Sequence, residues 1–173
     1  MRTFDLISWQ SKAWKRLQAK VRIGDEEAAG WRYAQDMLAI EGLARLVKWC
    51  RRKKINVVFY KRAAATYVPA DKRIEISSTV PPIKQLCYLL HECGHLLIGT
   101  MEGGRYALGY PMTDTPVERT FAHKATCLEE EFDAWHRGWK LSRRLKINLS
   151  REYFDEIRFK CIKTYIKWAG GVK

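Results

Sequence analysis

The sequence predicts an α+β domain: a small sheet of about three strands, antiparallel or mixed, packed on a helical core with flanking N- and C-terminal helices. Two patterns predict it. Apolar residues recur at helical spacing on both sides of the chain's middle, and short β-rich runs cluster between residues 55 and 77. A third observation is chemical. The apolar, helix-like stretch from Leu86 to Ile98 carries His91, Glu92 and His95 in its interior.

The elements follow in order. Leu6, Trp9, Ala13, Leu17 and Val21 give a first helical stripe. Asp25 is a good N-cap for a second helix, with Glu26 and Glu27 in its first turn. Tyr33, Met37, Ile40, Ala44 and Val47 form its stripe, and it ends in the basic run Arg51-Arg52-Lys53-Lys54. The run 55–60 reads as a strand, and Thr66-Tyr67-Val68 and Arg73 to Ser77 as two more. Pro69-Ala70-Asp71-Lys72 is turn-like, so the last two strands should form a hairpin. Pro81 and Pro82 suit a helix start, and that helix should run from Pro82 to Ile98. Residues 99–114 are glycine-rich and irregular. Thr115-Pro116-Val117-Glu118 is a capping box for a long helix to Leu145. Ser150 can cap a last helix carrying Tyr153, Phe154, Ile157, Cys161, Tyr165 and Trp168, closed by Gly170-Gly171.

The 173 residues make one domain, with its core at 55–145 and helical extensions at 5–52 and 150–168. A hydrophobic fraction of 47% against 29% charged excludes a disordered chain. The longest apolar stretch is broken by His91, Glu92 and His95, which argues against a membrane span. No signal-peptide core follows the N-terminal residues, so a cytoplasmic location is expected. The five cysteines include no CxxC pair and are expected to be reduced thiols, with Cys93 facing the core. The net charge is +13, and it is clustered. Residues 45–62 hold eight basic residues and no acidic one, and 137–173 hold eleven against three. Such a surface either attracts nucleic acid or an acidic partner, or is simply solvated.

His91 and His95 are four residues apart, which on a helix stacks both imidazoles on one face at a spacing suited to a tetrahedral zinc ion. Glu92 follows the first histidine and is placed to take a proton from a zinc-activated water. Gly94 leaves room for close packing. One zinc ion per chain is therefore expected, and two histidines leave a third ligand to be found downstream.

In the helix expected over 115–145, Phe121, Ala125, Leu128, Phe132, Trp135 and Trp139 cluster around one direction, read as the core face. Glu130 points away from that direction, and Glu129 and Glu131 flank it. Glu131 lies beside Ala134 and Gly138, small residues that admit a close partner helix, so it ranks first and Glu129 second. His136 and His123 are the rival ligands.

The run Leu-Leu-His-Glu-Cys-Gly-His-Leu-Leu, preceded by a strand and hairpin and followed by Glu-Glu-x-x-Ala-Trp-x-x-Gly at Glu130 to Gly138, resembles the compact gluzincins of the ImmA/IrrE type, some of them phage-borne. The resemblance covers residues 55–140. It implies a zinc endopeptidase with His91, His95 and Glu131 as ligands and Glu92 as general base, acting on a specific intracellular protein such as a DNA-binding regulator. The SprT-like proteases, which act on DNA-bound proteins, are the other near family, but they use a third histidine soon after the motif, and here none occurs between His95 and His123.

In such a fold the strand before the motif helix commonly lies along the substrate, which assigns Arg73, Ile74, Glu75, Ile76 and Ser77 as an open edge. Tyr67, Tyr106, Tyr110 and His123 are the candidate oxyanion donors. The alternative function is a basic nucleic-acid-associated protein, either a SprT-like protease or a non-catalytic zinc-binding module. No membrane partner is expected.

Overall fold

The computed structural model describes residues 26–61, 65–99 and 120–171. The helix expected over 5–21, the Asp25 cap, Tyr106, Tyr110 and the capping box at Thr115 to Glu118 lie outside the described residues. The elements are α1 (Glu26–Arg52), β1 (Asn56–Tyr60), β2 (Thr66–Val68), β3 (Arg73–Ser77), α2 (Pro82–Gly99), α3 (Phe121–Arg144) and α4 (Arg151–Ala169). The class is mixed α+β, with a small mixed sheet.

α1 buries Ala39, Ile40, Leu43, Leu46, Val47 and Cys50 along one side. It ends on Arg51 and Arg52, whose charges complement the negative end of the helix dipole. Gly42 sits where a methyl group would press on Ile147 and Leu86, so α1 lies close against both α2 and the α3–α4 connection.

The sheet order is β1-β3-β2. β2 and β3 form the expected antiparallel hairpin, with Tyr67 opposite Ile74 and a turn closed by the Lys72 N–H donating to the Pro69 carbonyl at 3.0 Å. β1 runs parallel to β3, pairing Asn56 with Arg73 and Tyr60 with Ser77. β3 is therefore the central strand, with Ile74 and Ile76 fully buried. This corrects the expectation that Arg73 to Ser77 is an open edge: from Arg73 to Glu75 both hydrogen-bonding sides are taken, and Ile76 and Ser77 pair with β1 alone. Among the described residues, the sheet's edges are β1 and β2.

α2 starts where two prolines place it. The Pro81 carbonyl accepts the first-turn N–H groups of Lys84 and Gln85 at 3.0 and 3.1 Å. Leu86, Leu89, Leu90 and Cys93 are fully buried along it.

α3 begins later than the capping box at Thr115 places it. Thr120 is extended (φ −64°, ψ 162°), and its hydroxyl accepts the His123 N–H at 3.2 Å, so the helix proper starts at Phe121. Its inward face is also different. Phe121 is 87% exposed and Phe132 46%, whereas Cys127, Glu130, Glu131, Ala134, Trp135, Gly138 and Leu141 are buried. Most of this face is the expected stripe moved back by one residue, a rotation of about 100°. The cause is the crossing with α2, which selects small side chains over large apolar ones.

α4 is capped by Ser150, whose hydroxyl accepts the Tyr153 N–H at 3.3 Å. It packs Phe154, Ile157 and Ile162 into the core. Gly171 closes it at φ +69°, a left-handed position that suits glycine. Among the described residues, no helix is long and apolar enough to cross a membrane.

Candidate metal centre

The site is built where α2 and α3 cross at backbone contact. A Cβ at Gly94 would run into the Ala134 carbonyl, and one at Gly138 would lie 2.5 Å from the Leu90 carbonyl oxygen. Ala134 and Gly138 thus let α3 lie flush on α2, which brings the carboxylate of Glu131 to the two motif histidines.

His91, His95 and Glu131 form a group able to hold a metal ion. His91 Nε2 is 3.2 Å from His95 Nε2 and 3.2 Å from Glu131 Oε2, and His95 Nε2 is 3.4 Å from Glu131 Oε1. Four ligands about 2.0–2.1 Å from a zinc-sized ion stand about 3.3 Å apart along the edges of their tetrahedron. The two imidazole nitrogens stand at that spacing, and the Glu131 carboxylate spans the pair, Oε2 facing His91 and Oε1 facing His95 at similar separations. The donor chemistry fits as well, with two imidazoles and one carboxylate, all borderline or hard ligands suited to zinc.

The surrounding residues hold this geometry. Glu130 Oε1 lies 3.0 Å from His95 Nδ1, so the ring's second nitrogen has a carboxylate partner that orients it. Trp135 stacks on His91 with ring centroids 4.4 Å apart and planes 23° from parallel. Phe154 of α4 backs that indole edge-on at 5.3 Å. His91 Nδ1 is buried and has no hydrogen-bond partner among the described residues, so the stacked indole fixes that ring by packing.

The electrostatics follow from burial and pairing. Burial alone pushes His95 down, but hydrogen bonds to Glu130 and Glu131 outweigh it and carry the imidazole up to about 10. Burial pushes Glu131 up, and the bonds from His91 and His95 overcome it, leaving the carboxyl at about 2. Glu92 is buried, which raises its pKa; the two histidines and a hydrogen bond from the Tyr67 backbone oppose the rise. Its carboxylate is therefore more basic than an ordinary one, a useful property in a proton acceptor.

The other candidates fall elsewhere. Glu129 and His136 are exposed. His123 places Nε2 3.6 Å from Cys127 Sγ and its ring edge-on to Trp168 at 6.2 Å. Asp133 pairs with Arg137 at 2.9 Å. Cys93 turns to α1, its Sγ 3.5 Å from that of Cys50, and burial holds its thiol well above the usual range. Tyr67 is the candidate oxyanion donor on β2, the strand whose backbone reaches Glu92. The expectation that Glu130 points away from the site is wrong: it is buried against His95. Trp135 also has a role that periodicity does not assign, since a core tryptophan and one stacked on a ligand give the same apolar signal.

No protein-family model, curated protein or solved structure matches the chain.

Proposed function

We propose that the chain is a zinc-dependent endopeptidase, in which His91, His95 and Glu131 hold one zinc ion and Glu92 is the general base. The observation that carries this reading is the buried Glu92 next to the His91 and His95 Nε2 atoms, 3.2 Å apart, and a Glu131 carboxylate whose two oxygens lie 3.2 and 3.4 Å from them. A zinc site kept for structure has no use for a buried carboxylate beside it, and such sites are usually closed by four protein ligands rich in cysteine. Here Cys93 faces away, toward Cys50. A carboxylate as third ligand favours the gluzincin resemblance over the SprT-like one.

Bound zinc supplies a Lewis acid that polarises the scissile carbonyl and acidifies water at neutral pH. Glu92 takes the proton from the attacking water onto its carboxylate and passes it to the leaving amine. Glu130 holds His95 through Nδ1, which keeps Nε2 directed at the metal. Trp135 holds the plane of His91. β2 is the strand at the site, since the Tyr67 N–H donates to Glu92, so an extended substrate lies on its side of the sheet. The substrate class that goes with the resemblance is a specific intracellular protein such as a DNA-binding regulator.

The test compares wild type with Glu92→Gln. Elemental analysis should find one zinc per chain in both. Mapping of new peptide termini in a treated proteome should find cuts made by the wild type alone, with the variant slower by about 10²–10⁴-fold. Identical cleavage by the two proteins would remove Glu92 from the mechanism. Absence of zinc from both would remove the site.

A further inference from the structure

Part of the chain's basic excess is gathered by the fold into one surface built of residues outside the metal centre. Lys48, Arg52, Lys53 and Lys54 are exposed on the C-terminal part of α1 and its closing turn. Arg45 precedes Lys48 by one turn and donates to the Leu145 and Lys146 carbonyls at 3.4 and 3.1 Å. That bond lays the exposed Lys146 alongside α1. Beyond the other end of the helix, the Asn56 N–H donates to the Lys72 carbonyl at 2.8 Å. The tip of the hairpin, with exposed Lys72, therefore sits beside the Lys53–Lys54 turn. Three stretches distant in sequence thus form one basic surface, extending about 10 Å along α1 between residues 45 and 52 and on over the turn that follows.

Two further observations show that this charge is unopposed and locally disfavoured. Among the described residues, none of Lys48, Arg52, Lys53, Lys54, Lys72 and Lys146 pairs with a carboxylate. The neighbouring acids are engaged: Glu41 by Arg45 at 2.6 Å, and Asp71 and Glu75 by Arg73 at 3.0 and 2.9 Å. Lys54, Lys72 and Lys146 also hold left-handed backbone conformations, with φ of 59°, 48° and 52°. Glycine or asparagine suits such positions better. Every non-glycine residue at positive φ among the described residues is a lysine, and all three lie on this surface.

We propose that this surface binds the phosphate backbone of duplex DNA without reading its sequence. Five of the six residues are lysines, which act as point charges toward phosphate and lack the planar fork that arginine offers to base edges. Duplex DNA presents one negative charge about every 1.7 Å of axis, so several phosphates fall within the reach of α1. Single strands are held by stacking on aromatic side chains. Among the described residues the exposed large apolar ones are Tyr60, Phe121, Phe132, Phe159 and Ile166, and none belongs to this part of α1 or to the two turns beside it. None of the six basic residues takes part in the metal centre, so DNA binding and peptidase activity stand or fall separately.

The test is fluorescence anisotropy of the full chain with a labelled duplex of about 20 base pairs, titrated between about 50 and 200 mM salt. Wild type should bind, with log K falling linearly against log salt. Lys54→Asn/Lys72→Asn/Lys146→Asn keeps residues that tolerate the left-handed turns, and Lys48→Gln/Arg52→Gln changes only the exposed helix side. Each variant should flatten the slope by about 0.9 per charge removed. Lys140→Gln/Lys163→Gln/Lys167→Gln removes exposed charge from α3 and α4 and should leave the slope unchanged. The proposal is overturned if wild type does not bind duplex at the lowest salt, or if the α3/α4 variant loses as much as the first. Tighter binding to the matching single strand overturns it too, as does displacement of the duplex by polyglutamate at equal charge, which would assign the surface to an acidic protein.

Discussion

Glu130 holds the far nitrogen of the ring that Glu131 faces: Glu130 Oε1 is 3.0 Å from His95 Nδ1, while Glu131 Oε1 is 3.4 Å from His95 Nε2. Two consecutive carboxylates of α3 thus grip opposite edges of one imidazole. Glu129, their neighbour, is exposed.

This arrangement predicts three different outcomes for three adjacent alanine variants. Glu131→Ala leaves two protein ligands and should abolish stoichiometric zinc binding. Glu130→Ala removes the partner that orients His95 and should weaken zinc by about 10–100-fold. Glu129→Ala should bind like wild type. Competition with a chromophoric chelator measures all three. A silent Glu130→Ala would mean that packing alone orients His95, and loss of zinc in Glu129→Ala would contradict the geometry of α3.

The helix that carries His91 and His95 is legible in sequence because its information is local. His91 and His95 lie one turn apart on any helix, and the apolar residues around them make that helix a buried one. Glu131 was legible for a different reason, since Ala134 and Gly138 mark where a second backbone can approach. The role of Glu130 was not. A helical direction computed from hydrophobicity is dominated by Phe121 and Phe132, which are exposed, whereas the true inward face is partly built of Glu, Ala and Gly, residues that carry little or no apolar signal. The sheet shows the same limit. Each strand announces itself by composition, but the parallel pairing of Asn56 with Arg73, which makes β3 central, is decided by packing between distant segments.

The crossing of α2 and α3 predicts a steric effect on stability. Gly94→Ala places a methyl group against the Ala134 backbone, and Gly138→Ala places one 2.5 Å from the Leu90 carbonyl oxygen. Neither neighbour is a flexible side chain, so the helices must separate. Each substitution should destabilise by about 1–3 kcal/mol or more, and should also weaken zinc because Glu131 retreats from the histidines. Urea unfolding with and without zinc measures both effects. Gly99→Ala is the control, since nothing lies within 4 Å of its added methyl. Equal stability of all three variants would show that the helices do not meet at backbone contact.

Trp135 predicts a separable effect on His91. Its indole lies between His91 and Phe154, at centroid distances of 4.4 and 5.3 Å. Trp135→Ala opens a cavity in a fully buried site and should destabilise by about 3–5 kcal/mol. Trp135→Phe keeps an aromatic face, and should recover much of the stability and zinc affinity. If both variants bound zinc as tightly as wild type, stacking would have no part in holding His91.

The last prediction concerns pH, and it runs in opposite directions with and without metal. In protein stripped of zinc by a chelator, His95 is raised from the ordinary 6.5 to about 10 by Glu130 and Glu131, which outweigh its burial. Its contribution to stability is complete below about pH 6.5 and is lost as pH rises toward 10. Glu131 is lowered from 4.5 to about 2, so its contribution is complete above about pH 4.5 and is lost as pH falls toward 2. For this pair, stripped protein should be most stable between pH 4.5 and 6.5. Zinc requires the same imidazole without its proton, so the metal competes with the charge that stabilises the stripped chain. The rise in Tm on adding zinc should therefore be small near pH 5.5 and grow steadily toward pH 8 to 9, while the stripped protein itself becomes weaker over that range. Thermal unfolding at several pH values, in chelator and in excess zinc, separates the two trends. A stripped protein whose stability climbs between pH 6.5 and 9 would show that His95 is not held as the cation between Glu130 and Glu131, and a zinc effect independent of pH would show that the metal is bound elsewhere.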